Sequence, residues 1–247
     1  MCYNPIIKEC DLMISGLQKM TLLDYPGKVA CTVFLQGCNF RCPFCHNSDL
    51  LGKDGPETIP VEKLMAFLQK RVGLLDAVCI TGGEPTLQKD LPDLIRKIKE
   101  LGYLVKLDTN GSRPAVLKAL AEEKLIDYVA MDIKNGPDRY GETVGMPNMD
   151  LGGVEESIRY LLEGHVDYEF RTTVADELHD ETDMAQMGQW LCSLIPGRKP
   201  IRHYIQPYVD RDSVLTQGLH TPEKPKLLAM ADKLTPYAEI VEIRGMD

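Results

Sequence analysis

Seven short apolar runs, rich in β-branched and aromatic residues, recur along this chain, and a helix-patterned segment separates each from the next. The runs are "VACTVFL" (29–35), "DAVCIT" (76–81), "YLVKLDT" (103–109), "YVAMDI" (128–133), "YEFRTTV" (168–174), "RHYIQP" (202–207) and "AEIVEI" (238–243). Apolar residues three and four apart predict helices over 61–72, 91–102, 114–124, 151–164, 181–195 and 222–234. Strand, helix, strand in repetition implies a parallel sheet with right-handed crossovers. A complete barrel needs eight such units in about 250 residues. This 247-residue chain offers about six once its N-terminal stretch is set aside. The expected fold is therefore α/β, a partial, open (βα)6 TIM-like barrel in one domain. Residues 1–28 would form an N-terminal extension, 29–208 the barrel core and 209–247 a C-terminal helix and strand.

Composition excludes some functions. With 44% hydrophobic and 26% charged residues the chain reads as an ordinary globular protein. A net charge of −9 and the lack of any Lys/Arg run argue against nucleic acid as a partner. No apolar run reaches the length of a membrane span, and the N-terminus lacks the pattern of a secretory signal. Eight cysteines without an export signal point to a reducing cytoplasm. Cys31 and Cys79 sit in apolar runs and read as small core residues, while Cys2 and Cys10 match no common ligand spacing.

In barrels of this kind, chemistry collects at the C-terminal ends of the strands. Here the first strand leads into a cysteine loop and the second into "GGEPT" (82–86). The third ends in "DTNGS" (108–112) and the fourth in "MDIKNG" (131–136), while the fifth carries "RTTV" (171–174) and the sixth ends in "QPY" (206–208). Polar, glycine-rich loops at the same end of successive strands favour one shared site.

The cysteine loop, "QGCNFRCPFCHNSD" (36–49), places Cys38, Cys42 and Cys45 three and two residues apart, with His46 next. Zinc held by the three thiolates and His46 is one reading, since Cys3His is a permitted structural set. Adjacent ligands such as Cys45 and His46 point in different directions, and no second ligand pair is visible. The other reading is a [4Fe–4S] cluster with one iron that no cysteine holds and that is open to a small ligand.

The CxxxCxxC spacing with Phe44 before its last cysteine, followed by "TGGEPT" (81–86) at the next strand end, resembles the signature of the radical S-adenosylmethionine (SAM) superfamily. "VFLQGCNFRCPFCHN" (33–47), "LDTNG" (107–111) and "MDIKN" (131–135) resemble its glycyl radical enzyme activase branch. That branch includes pyruvate formate-lyase activating enzyme. The similarity covers most of 14–208 and is greatest to the longer anaerobic ribonucleoside-triphosphate reductase activating proteins. The resemblance implies a partial barrel of the radical SAM type, one [4Fe–4S] cluster, and reductive cleavage of SAM to a 5′-deoxyadenosyl radical that abstracts hydrogen. It also implies a glycyl radical enzyme as partner, anaerobic ribonucleotide reductase in particular, and a flavodoxin or ferredoxin-type electron donor.

Carried over by position, the resemblance makes Cys38, Cys42 and Cys45 the cluster ligands. Gly82, Gly83 and Glu84 would line the methionine moiety of SAM, and Asp108 and Thr109 its amino or carboxylate region. Asp132 and Lys134 share one face of a strand and match a pair near SAM and the radical path, with Lys134 a catalytic candidate. The same pair would equally serve as a strand-end ion pair. Arg171 would reach the ribose or carboxylate, or else form a salt bridge inside the barrel. Phe44 and Asn47 would touch adenine, and His46 would order the loop.

The chain departs from the activase pattern in three places. "LDYPGK" (23–28) stands where activases carry DGPG, no cysteine-rich insert follows Asn47, and "QPYV" (206–209) lacks a histidine found in relatives, with His203 out of register for that role. A rival within the superfamily is a small-molecule enzyme of the 7-carboxy-7-deazaguanine synthase kind. A rival outside it is a zinc-binding scaffold without enzymatic activity.

Overall fold

The computed structural model describes residues 12–52, 57–211 and 213–245. Cys2 and Cys10 lie outside the described residues. A single eight-stranded sheet runs in strict sequence order. Its first strand, β1 (Ile14–Thr21), pairs antiparallel with β2 (Ala30–Leu35). From β2 the sheet continues in parallel through β3 (Ala77–Gly82), β4 (Leu104–Thr109), β5 (Tyr128–Asp132), β6 (Asp167–Val174), β7 (Arg202–Pro207) and β8 (Ile240–Ile243). The crossovers carry α1 (Val61–Gln69), α2 (Leu91–Glu100), α3 (Pro114–Glu122), α4 (Pro137–Thr143), α5 (Gly152–Leu162), α6 (Glu181–Leu194) and α7 (Lys224–Leu234). β1 and β8 are not paired with each other, so the sheet stays open. The fold is α/β with a partial, TIM-like barrel. Among the described residues, no helix is long and apolar enough to cross a membrane.

The two faces of the parallel strands differ, because side chains alternate along a strand. Val33, Leu35, Val78, Ile80, Val105, Leu107, Val129, Met131 and Phe170 belong to the main core together with helix residues such as Leu94, Ile95, Ile158 and Met187. The intervening positions form the inner face. Its lower part is a small cluster of Tyr25, Ala30, Ala77, Cys79 and Tyr128. Above that it turns polar, with Lys106 and Glu169 almost wholly buried. A strand such as "KLDT" therefore alternates polar and apolar although both its faces are covered.

Sequence periodicity locates every parallel strand within about two residues at each end. It misses β1 and α4. β1 pairs with β2 through register shifts and leaves Lys19 and Met20 exposed, so its alternation is weak. α4 is a single short segment, Pro137–Thr143, opened by proline and interrupted by Gly141, with too few turns to show a helical period. β8 is the strand expected in the C-terminal segment, and it extends the sheet beyond the six barrel units in the same parallel sense.

Phe170 is fully buried between sheet and helices, with its ring against Tyr168 at 5.1 Å. Phe170→Ala is expected to lower the unfolding free energy by about 3–5 kcal/mol, read as a shift of the urea midpoint of the metal-free chain.

Candidate active site

A pocket of about 250 Å³ opens at the C-terminal ends of the strands. Cys38, Cys42, Phe44, Cys45, Asn47, Gly82, Gly83, Asp108, Thr109, Asp132, Lys134 and Arg171 all line it. His46, Asn110, Thr173 and Gln206 line it too. Glu84 is the one residue of the predicted site that does not.

The three cysteines are free thiols on the loop that follows β2. Burial pushes the Cys42 thiol up to about 12. It also raises Cys38 and Cys45, against the opposing pull of the Phe40 and Asn47 amides respectively. The Phe40 N–H donates to Cys38 Sγ at 3.4 Å. Buried thiols of this kind become thiolates when a bound cation stabilises them. Among the described residues, no three His, Cys, Asp or Glu side chains converge as the ligands of a single ion would. A cubane cluster instead binds each thiolate to its own iron. Three separate thiols facing one pocket fit that donor set. The His46 ring stacks on Tyr208 at 5.5 Å, and its Nε2 is buried without a partner.

The chain beyond β7 straps this loop in place. Ser213 Oγ donates to the His46 carbonyl at 2.9 Å, and the Thr216 amide donates to the Pro43 carbonyl at 3.0 Å. Ser48 Oγ donates to the Ser213 carbonyl.

The loop after β3 must meet the loop after β2 backbone to backbone. The Gly83 amide donates to Leu35 O at 2.8 Å and the Glu84 amide to Gly37 O at 2.7 Å. A Cβ on Gly82, whose φ is +121°, would lie 2.2 Å from Leu35 O, and one on Gly83 would lie 2.1 Å from Gly37 O. Glycine is required here by the neighbouring strand. The Asn47 side chain donates to Gly82 O at 3.1 Å and so also joins these loops. Glu84 turns away from the pocket and is wholly buried. Its carboxylate accepts from Thr109 Oγ1 at 2.8 Å, from the Asn110 amide at 2.7 Å and from Thr86. Burial raises its pKa, and these donors offset part of that rise. Asn110 Nδ2 then reaches Asn39 Oδ1 at 2.9 Å, which closes a link from β4 back to the cysteine loop.

Alternating charges cross the inner face. Lys106 Nζ bonds Asp108 Oδ1 at 2.5 Å, and Arg171 Nη1 bonds Asp108 Oδ2 at 3.1 Å. Arg171 Nε bonds Asp132 Oδ1 at 2.9 Å, and Lys134 Nζ bonds Asp132 Oδ2 at 2.9 Å. Burial would raise both aspartate pKa values, but Arg171 and its lysine neighbours outweigh it. Asp108 is held below its ordinary value and Asp132 at about 2. Burial would lower Lys134, and Asp132 reverses this and holds it above the usual lysine range.

Lys134 is fixed further by a residue that sequence reading passes over. His179, buried in the loop after β6, accepts at Nδ1 from the Ala175 amide (3.2 Å) and donates from Nε2 to the Lys134 carbonyl (2.8 Å). Its ring packs edge-on to Phe44 at 6.1 Å. Burial lowers its pKa to about 4, so the ring is neutral near pH 7. "DELHDE" (176–181) has no motif that would have marked it.

The Asp132 pairing predicts an acid-dependent stability. Its pKa is about 2 in the fold against 3.8 ordinarily, so the carboxylate stabilises the fold above about pH 4, and that contribution fades as pH falls through about 2. In denaturant titrations of the metal-free chain, the advantage of wild type over Asp132→Asn is expected to be full above pH 4 and to shrink steadily towards pH 2.

Comparison with known proteins agrees with this architecture. The radical SAM superfamily matches residues 32–186. A Methanocaldococcus jannaschii protein named as a glycyl-radical enzyme activating enzyme is 37% identical over 95% of this chain and 97% of its own. The 7-carboxy-7-deazaguanine synthase of Thermococcus kodakarensis is 30% identical over 69% of this chain and 71% of its own. The structure of Streptococcus suis SuiB bound to S-adenosylmethionine superposes with a TM-score of 0.65 at 16% identity, covering 85% of this chain and 48% of that one. Enzymes of this superfamily use a [4Fe–4S] cluster and S-adenosylmethionine. The match spans more than half the sequence and includes the cysteine loop and strands β3 to β6, which carry most of the pocket: the chain belongs to the radical SAM superfamily.

Proposed function

We propose that this protein is an activase that uses a [4Fe–4S] cluster and SAM to generate a glycyl radical on a partner enzyme, with anaerobic ribonucleotide reductase as that partner. The observation that carries the reading is the similarity to the glycyl-radical enzyme activating enzyme, which extends over 95% of this chain and 97% of the relative. When bound, the cluster and SAM supply reductive cleavage to methionine and a 5′-deoxyadenosyl radical, which takes a hydrogen atom from its target.

In this reading Cys38, Cys42 and Cys45 hold the cluster. Gly82 and Gly83 give the methionine moiety a backbone wall, and Asp108 and Thr109 meet its amino and carboxylate groups. Phe44 and Asn47 border the adenine. Arg171 holds Asp108 and Asp132 in register, at 3.1 Å and 2.9 Å. Lys134 is kept protonated by Asp132 beside the path of hydrogen transfer. Glu84 acts by joining the loops after β3 and β4 (2.8 Å to Thr109) and has no direct contact with the ligand. A flavodoxin or ferredoxin-type protein delivers the electron.

The second reading, a small-molecule enzyme, is favoured by the similarity to 7-carboxy-7-deazaguanine synthase, at 30% identity over 69% of this chain. One anaerobic experiment separates the two. The protein is reconstituted with iron and sulfide, reduced and given SAM. Production of 5′-deoxyadenosine is expected, followed by a glycyl doublet in the electron paramagnetic resonance spectrum when anaerobic ribonucleotide reductase is added. SAM cleavage with no doublet on any glycyl radical enzyme would turn the assignment to the small-molecule class. Cys42→Ala is expected to abolish SAM cleavage, and retained cleavage would remove Cys42 from the ligand set.

A further inference from the structure

The cysteine loop has two sides. Phe40, Cys42 and Phe44 line the pocket, while Arg41 and Pro43 between them do not. Cys42 is buried, Arg41 is exposed and Pro43 is half-buried. A single layer of chain, Arg41 to Pro43, therefore separates solvent from the pocket-facing thiol of Cys42.

Two other segments border that outer side. The Arg41 amide donates to the Val144 carbonyl at 2.9 Å, just past the end of α4, and a Cβ on Gly145 would lie 2.4 Å from Arg41 O. Met146, the next residue, is exposed. On the other flank the Thr216 amide donates to the Pro43 carbonyl at 3.0 Å, and Leu215 before it is exposed too. Arg211 is exposed in the same strap, two residues before the Ser213 hydroxyl that holds the His46 carbonyl. Met146, Arg211 and Leu215 all lie outside the pocket lining.

The Arg41 guanidinium is spent on the carbonyls of Cys38 and Phe40, each at 2.7 Å. Among the described residues, neither Arg41 nor Arg211 pairs with a carboxylate. Of the carboxylates on the same segments, Glu142 faces Arg139 at 3.7 Å and Asp210 accepts from Tyr208 at 3.0 Å, while Asp49 is exposed without a partner. On a chain of net charge −9, unpaired guanidiniums mark a place where an acidic protein is drawn in rather than repelled.

A large apolar side chain exposed singly is ordinary. Here two of them bracket the outer wall of the cysteine loop, with arginines beside them. Electron-transfer encounters use small patches of this kind, burying less than about 1,200 Å². A partner that offers a glycine must enter the pocket. A partner that delivers an electron needs only to come close to the cluster, and the patch lies behind the loop, not in its mouth.

We propose that the outer side of the cysteine loop, centred on Arg41 and Pro43 and flanked by Met146, Arg211 and Leu215, is the docking surface for an acidic one-electron donor protein. The proposal rests on the reading that Cys38, Cys42 and Cys45 hold the cluster and that a flavodoxin or ferredoxin-type protein reduces it. The step itself moves one electron: the donor is oxidised by one, the cluster is reduced by one, and no bond is made or broken.

The test uses the reconstituted holoprotein with flavodoxin, and with ferredoxin in parallel. Binding of the oxidised donor is measured by calorimetry, and cluster reduction by the reduced donor is followed optically. Leu215→Asp and Arg211→Glu are each expected to weaken donor binding about tenfold and to raise the half-saturating donor concentration equally. Arg211→Lys keeps the charge and should bind the donor as wild type does. All three should carry the same iron and sulfide per chain and be reduced by dithionite at the wild-type rate. Unchanged donor binding in Leu215→Asp and Arg211→Glu overturns the proposal, as does wild type that neither donor reduces saturably. Loss of cluster loading or of dithionite reduction also overturns it, since these residues would then support the loop itself. Normal reduction by the donor with a lower glycyl radical yield would assign the surface to the radical acceptor instead. Iron and sulfide content of Cys42→Ala tests the ligand reading separately: full loading there refutes that reading, whatever the donor titrations show.

Discussion

Arg171 is the element on which the pocket depends. It lies between two aspartates, bonding Asp108 at 3.1 Å and Asp132 at 2.9 Å, and each aspartate has a lysine on its far side. Removing charges from water costs several kcal/mol per ion unless each is paired and hydrogen-bonded. The alternating order from Lys106 to Lys134 meets that requirement across three neighbouring strands. It also fixes the side chains of β4, β5 and β6 relative to one another, because no partner can shift without exposing a neighbour to an unpaired charge. The polar inner face is therefore stiff, and a pocket for a charged ligand can be built on it without large rearrangement.

The cysteine loop depends on a different constraint, steric exclusion. Gly82 and Gly83 let the end of β3 run against the backbone that leads into Cys38. Glu84, one residue further, bonds the end of β4. Asn110 then returns to Asn39 in the cysteine loop at 2.9 Å. A glycine pair that the family resemblance assigns to ligand approach is thus required first by the protein's own packing.

How much of this could be read from sequence follows from the same physics. The parallel strands were legible because their helix-facing residues form unbroken apolar sets, such as Val78 with Ile80 and Val105 with Leu107. The candidate site was legible where a motif spans consecutive residues, as in the cysteine loop, "GG" (82–83) and "MDIK". β1 was hidden because its register shifts blur the alternation. The orientation of Glu84 was hidden because its partners lie 25 and 26 residues away on another strand. His179 was hidden because it is a single residue whose meaning comes only from what it faces. Periodicity and spacing report on local order, and His179 bonds across elements.

The strap after β7 has a bearing on how the molecule is made. Its bonds to the cysteine loop join residues 165 and 167 positions apart. During synthesis from the N-terminus, the loop bearing Cys38, Cys42 and Cys45 emerges early, and its tether is not made until β7 and the following segment have been released. Contacts so distant in sequence form late, since a long stretch of chain must be closed before they repay the entropy lost. The cysteines therefore pass through a period in which they are present but not yet held by this tether.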